Sequence, residues 1–92
     1  MIFTPEYQYE PNQLYEWSET DGDWKFYGVY PSASTLRHFI ADQHLRDPHG
    51  LHTTHDTIVT YTEPQLYLRT YYCGARIFRR VMTAVEVAQE QI

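Results

Sequence analysis

An Asp21-Gly22 pair set between two aromatic runs, residues 14–18 and 24–30, is the strongest constraint this chain carries. Asp-Gly is the favoured centre of a type I′ turn, in which both central residues take positive φ, and aromatic flanks favour strands. The spacing predicts an antiparallel hairpin closed by a two-residue turn, pairing Thr20 with Asp23, Glu19 with Trp24, Trp17 with Phe26 and Tyr15 with Gly28. One face then carries Tyr15, Trp17, Trp24 and Phe26. The other carries Leu14, Glu16, Ser18, Lys25, Tyr27 and Val29. The aromatic face is the expected core side, each cross-strand aromatic pair adding roughly 0.2–1 kcal/mol.

Downstream, Pro31-Ser32-Ala33-Ser34 opens a helix with Ser32 or Ser34 as N-cap. Asp47-Pro48 ends it, because the residue before proline resists the α region. Leu36, Phe39 and Ile40 share one face, expected on the aromatic side of the sheet. Residues 48–55 read as a loop, residues 57–63 and 66–73 alternate as strands, and Glu63-Pro64-Gln65 turns between them. Val59 and Tyr61 share a face of the first of these strands, Tyr61 with the core aromatics. After Gly74, the positions Ile77, Phe78, Val81, Met82, Val85 and Ala88 recur at helical spacing and favour one long helix from about residue 75. The competing pattern is a strand over Arg76–Met82, followed by a short helix opened by the capping box Thr83-Ala84-Val85-Glu86.

The expectation is a single α+β domain over residues 1–92, an antiparallel sheet of four to five strands with two helices in the order β-β-α-β-β-α. Residues 1–13, with Pro5 and Pro11, form an extended arm with an edge strand near residues 7–9. The helices cover one sheet face and leave the other to solvent or a partner.

Composition narrows the function classes. Aromatic residues make up 16% of the chain, nine of them tyrosine, which excludes a disordered, highly charged segment. No apolar run reaches the ~18–20 residues of a membrane span. The first residues lack the basic and apolar regions of a secretory signal, and the lone Cys73 cannot form an internal disulfide, so a reducing cytosol is the expected location. The net charge of −5 is uneven: Glu6, Glu10, Glu16, Glu19, Asp21 and Asp23 oppose only Lys25 in the first thirty residues, whereas Arg69, Arg76, Arg79 and Arg80 outnumber Glu86 and Glu90 in the last twenty-eight.

No stretch carries an enzyme signature. His38, His44, His49, His52 and His55 cluster near Asp42, Asp47 and Asp56, with His49, His52 and His55 as weak metal-ligand candidates. They match no paired-histidine helix or Cys-x-x-Cys spacing, so no metal or other cofactor is expected. Cys73 with a loop histidine, or Ser32 or Ser34 with His38, lacks a nucleophile elbow or any comparable context. Three surfaces remain. Glu16, Glu19, Asp21 and Asp23 with Tyr27 display carboxylates on a rigid hairpin, able to imitate phosphates before a basic groove. Tyr67, Arg69 and Tyr71 form a same-side stripe at roughly 6.6–6.8 Å steps, of residue types enriched at hot spots. Arg76, Arg79 and Arg80 would make a small basic helix face.

These features favour a small acidic non-enzymatic binding protein, an inhibitor or adaptor that occludes a macromolecular partner such as a basic nucleic-acid-binding protein. Inhibitors of host nucleic-acid-handling complexes carried by phages and mobile elements are the class-level analogy. The alternative is a nucleic-acid-binding module using Tyr67, Arg69, Tyr71, Arg76, Arg79 and Arg80, and a second alternative is a small metal-dependent or hydrolytic enzyme on the histidine loop. An edge strand admits a homodimer without predicting one.

Overall fold

A computed structural model describes residues 9–60 and 65–90. The elements are β1 (Gln13–Ser18), β2 (Asp23–Val29), α1 (Ala33–Arg46), β3 (His52–Val59), β4 (Leu66–Cys73), β5 (Arg76–Met82) and α2 (Ala84–Glu90). Five strands form one antiparallel sheet in the spatial order β2-β1-β5-β4-β3. The fold is α+β as expected, with the order β-β-α-β-β-β-α in place of β-β-α-β-β-α. Residues 1–8 of the expected arm, Tyr61 and most of the Glu63-Pro64-Gln65 turn lie outside the described residues.

The first hairpin forms with a different closure. Ser18 faces Asp23, Trp17 faces Trp24 and Tyr15 faces Phe26, so the loop is four residues long and the register moves by two. Only Gly22 takes positive φ (63°), whereas a type I′ turn would require Asp21 to do so as well. Instead the Gly22 N–H bonds the Ser18 carbonyl (2.8 Å), and the Ser18 hydroxyl oxygen accepts from the Asp21 N–H (3.2 Å). A two-residue slip preserves side-chain parity, and Tyr15, Trp17, Trp24 and Phe26 keep a common face. Tyr27, the unpaired residue of a bulge opposite Leu14 and Tyr15, lies on the other side as expected, against Phe39 and Phe78.

The long C-terminal helix is replaced by a strand and a short helix. Residues Cys73 and Arg76 pair across a two-residue turn in which Gly74 has φ 66° and Ala75 does not take positive φ, a type II′ closure. The apolar spacing misled because both faces of β5 are covered. Phe78, Arg80 and Met82 are buried on one side and Val81 on the other, which erases a strand's clean alternation. Thr83 caps α2 reciprocally with Glu86: its hydroxyl accepts the Glu86 N–H (3.2 Å), and Glu86 Oε1 accepts the Thr83 N–H (3.1 Å). Residues 52–55 also differ from the expected loop. They begin β3, an edge strand whose Thr- and His-rich sequence shows no apolar pattern but pairs with β4 over its whole length.

Helix α1 starts at Ser32, whose hydroxyl accepts the Thr35 N–H (3.2 Å), and ends at Asp47 before Pro48. It seats Leu36, Phe39 and Ile40 on Leu14, Tyr30, Tyr71, Cys73 and Phe78. That is the face opposite the Trp17–Trp24 pair, which reverses the expected core side. The central strands present apolar residues both ways, so the pattern of one hairpin could not choose. The second face holds its own cluster of Tyr9, Val59, Leu68 and Val81, with Tyr15, Trp24 and Leu66 packed around it.

The β4–β5 turn packs on the end of α1. A Cβ at Gly74 would lie 1.8 Å from Asp47 Oδ2, whereas one at Gly22 would meet nothing within 4 Å. Both glycines have positive φ, a strain of roughly 1–3 kcal/mol for other residues. Gly74→Ala is therefore expected to lower stability at the upper end of that range and Gly22→Ala at the lower. Thermal unfolding reads the difference at about 4–8 °C per kcal/mol. Equal losses would show that the Asp47 contact contributes nothing.

Candidate functional site

Opposite α1, no helix covers the hairpin end of the sheet among the described residues. Trp17 and Trp24 meet edge to face with ring centroids 5.4 Å apart, and Phe26 beside Tyr15 is 57% exposed. Arg79 reaches this face from β5, its guanidinium 4.2 Å from the Trp24 ring centre and its Nε donating to Thr70 Oγ1 (3.1 Å). No carboxylate pairs with Arg79 among the described residues. Stacked between an aromatic ring and a hydroxyl, the guanidinium is held in place without an ion-pair partner among the described residues.

The hairpin loop rims this face with acid. Glu19 is exposed, Asp21 lies 3.5 Å from Lys25, and Asp23 Oδ1 accepts the Trp24 N–H (2.7 Å). Glu16 does not belong to the display. It points to the α1 side, where Arg76 donates through Nε and Nη2 to its two oxygens (2.8 and 3.0 Å). Arg76 also donates to Gln43 of α1 (3.1 Å) and lies 4.7 Å from the Phe78 ring centre, tying β1, β5 and α1 together. Tyr27, also expected on the acidic surface, is partly exposed but leans on Phe39 and Phe78.

The Tyr67, Arg69 and Tyr71 stripe shares one face as its spacing predicts, but that face looks towards α1. Tyr71 is buried and its hydroxyl accepts from Arg80 Nε (2.8 Å). Arg69 makes a two-pronged ion pair with Asp56 (2.8 and 2.9 Å), which holds the Asp56 carboxyl below its ordinary range. Tyr67 is half-buried. Nor do the three arginines make one helix face: Arg76 and Arg80 project towards the helices, and Arg79 projects to the open side. Alternation along β5 separates residues that helical spacing would have gathered.

Arg80 is 5% exposed and meets Glu86 of α2 through both terminal nitrogens (3.0 and 2.8 Å). Burial opposes its charge, but the Glu86 carboxylate and the Tyr71 hydroxyl more than offset this and raise its pKa above the ordinary arginine value.

The histidines do not converge. His52 and His55 sit on opposite sheet faces by strand parity, and His49 is exposed in the loop between α1 and β3. His52 stacks on His44 (4.3 Å) and donates from Nε2 to the Asp47 carbonyl. Among the described residues no group of three His, Cys, Asp or Glu side chains is placed to hold a metal. Cys73 is buried and its thiol pushed up by that burial, the opposite of an activated nucleophile, and Ser32 is engaged in capping α1. Among the described residues no helix is long and apolar enough to cross a membrane.

No family model matches this chain, and comparison with the curated proteins and with the solved structures finds no match. Geometry alone picks out the open hairpin face. Sequence reasoning placed its tryptophans in the core. The signal available was that one helix with a single apolar strip can cover only one side of an aromatic sheet.

Proposed function

We propose that this chain is a small non-enzymatic binding protein of the cytosol that occludes a macromolecular partner, with the first hairpin as its contact surface. The supporting observation is the cluster of part-buried Trp17, Trp24 and Arg79 with exposed Phe26 on the sheet face opposite α1, flanked by Glu19, Asp21 and Asp23. Tryptophan and arginine are the residue types that dominate binding energy at protein interfaces. Carboxylates at the rim steer encounter with a basic surface and suppress acidic ones. A partner with a basic rim around an apolar centre, such as a nucleic-acid-binding protein, fits both parts. An inhibitor of the phage or mobile-element kind remains a class-level analogy.

The test is affinity capture from lysate of the native cell or host, followed by mass spectrometry. Glu19→Lys/Asp21→Lys and, separately, Phe26→Ser are expected to lose the captured partner while thermal unfolding shifts by no more than ~0.5 kcal/mol equivalent. Glu16 is left unchanged because it holds Arg76. Retention of the same partner by both variants would reject the hairpin as the contact surface.

A second reading rests on Arg79, a cation stacked on Trp24 with no carboxylate among the described residues: a base could stack beside it and a phosphate meet it. Salt-dependent retention on single-stranded DNA or RNA, lost in Arg79→Ala, would favour this reading.

A further inference from the structure

On the α1 side of the sheet, an open cleft of about 490 Å³ lies between α1 and the strands β4 and β5, with Glu86 of α2 also in its lining. Its volume lies within the range of small-molecule sites, roughly 300–1,000 Å³. Leu36 and Ile40 of α1 and the Tyr71 ring of β4 supply its apolar walls. Arg37, Arg69, Arg80 and Glu86 supply the charges.

The charges do not cancel. Arg80 is matched by Glu86, and Arg69 by Asp56 outside the lining. Arg37, exposed on α1, pairs with no carboxylate among the described residues, and the nearby Asp42 is bound to Arg46 (2.7 Å). The cleft is thus a positive locus in a chain of net charge −5, with its surplus guanidinium beside an apolar wall. A purely inorganic anion would leave Leu36, Ile40 and Tyr71 unused, and a neutral apolar molecule would leave Arg37 unused.

We infer that this cleft binds a small molecule with an apolar body and a single carboxylate, the body against Leu36, Ile40 and Tyr71 and the carboxylate on Arg37. This site is independent of the hairpin surface and does not rest on the proposed function. Arg69, held by Asp56 outside the lining, and the Arg80–Glu86 pair within it keep the floor polar enough to exclude a fully buried hydrocarbon. Guanidinium–carboxylate recognition is planar and two-pronged, which fixes the ligand's head and leaves its tail to fit the wall.

The probe is sodium octanoate, titrated into the ¹⁵N-labelled protein while backbone amide shifts are followed. Saturable shifts confined to residues 33–44, 69–71 and 80–86 are expected. Arg37→Glu, whose amide spectrum checks its fold, is expected to weaken octanoate about tenfold, the size of one charge-assisted hydrogen bond. Inorganic phosphate and 1-octanol are both expected to bind at least about tenfold more weakly than octanoate, by the same reasoning. Scattered or non-saturating octanoate shifts would overturn the site. Equal binding by Arg37→Glu, by phosphate or by 1-octanol would overturn the assigned ligand class.

Discussion

Phe78→Ala is expected to remove about 3–5 kcal/mol of stability, the range for truncating a buried phenylalanine. Phe78 is completely buried at the centre of the sheet, where it meets Phe39 edge-on (5.1 Å), Tyr27 (5.3 Å) and the Arg76 guanidinium (4.7 Å). Those three partners come from α1, β2 and β5, so the cavity would open at the point where helix and sheet are joined and could not be filled by one element's relaxation. A domain of this length has roughly 5–14 kcal/mol in total, at about 0.05–0.15 kcal/mol per residue. The variant is expected to sit close to the threshold of folding. Urea unfolding should show the midpoint falling with the slope unchanged. A loss below about 1 kcal/mol would mean that α1 is not seated on Phe78.

Glu86→Gln is expected to cost about 2 kcal/mol, less than the 3–5 kcal/mol of breaking a fully buried pair because Glu86 is about one-third exposed. Glutamine can still serve the capping box with Thr83, so the substitution isolates the loss of negative charge beside buried Arg80. The pH dependence has a definite sign. Burial pushes the Glu86 carboxyl up, but the Arg80 guanidinium and the Thr83 N–H and hydroxyl outweigh it and leave the pKa below the ordinary value. A carboxyl whose folded pKa is depressed stabilises the protein above its unfolded pKa and loses that contribution as pH falls through the folded one. Asp56, lowered by Arg69, acts in the same direction. Stability of the wild type should therefore decline on acidification below about pH 4.5, an ordinary unfolded glutamate value, and Glu86→Gln should decline less steeply. Parallel pH profiles for the two proteins would show that the Arg80–Glu86 pair contributes nothing.

Local signals in the sequence served best where the determinants were local. The Ser32 cap and the stop at Asp47-Pro48 depend on residues within four positions of one another, and both are present; the hairpin is present with another turn and register, and the Thr83–Glu86 box, equally local, was outweighed by apolar spacing that favoured a long helix. Determinants that lie far apart were invisible. Nothing near Arg76 announces that Glu16, sixty residues earlier, will neutralise it, so a strand carrying arginines towards its core resembled a helix with a basic side. The start of β3 was hidden for the opposite reason: an edge strand made of His and Thr needs only backbone pairing with β4. The open hairpin face was obscured because tryptophans suit a core and an interface equally well. Only the placement of α1 on the other side separates the two roles.

The position of β5 has a consequence for how the chain is made. It is the last strand in sequence yet lies between β1 and β4, and the Arg76–Glu16 bond joins residues sixty apart. A ribosome emitting roughly 5–20 residues per second releases β1 and β2 several seconds before their central neighbour exists. Until then the nascent chain holds two separate hairpins, each marginal alone, and a helix with half a surface to sit on. Closure is a single late event that must bridge a long loop, which predicts slow folding for so short a chain. A chain released before Arg76 would have no centre to its sheet.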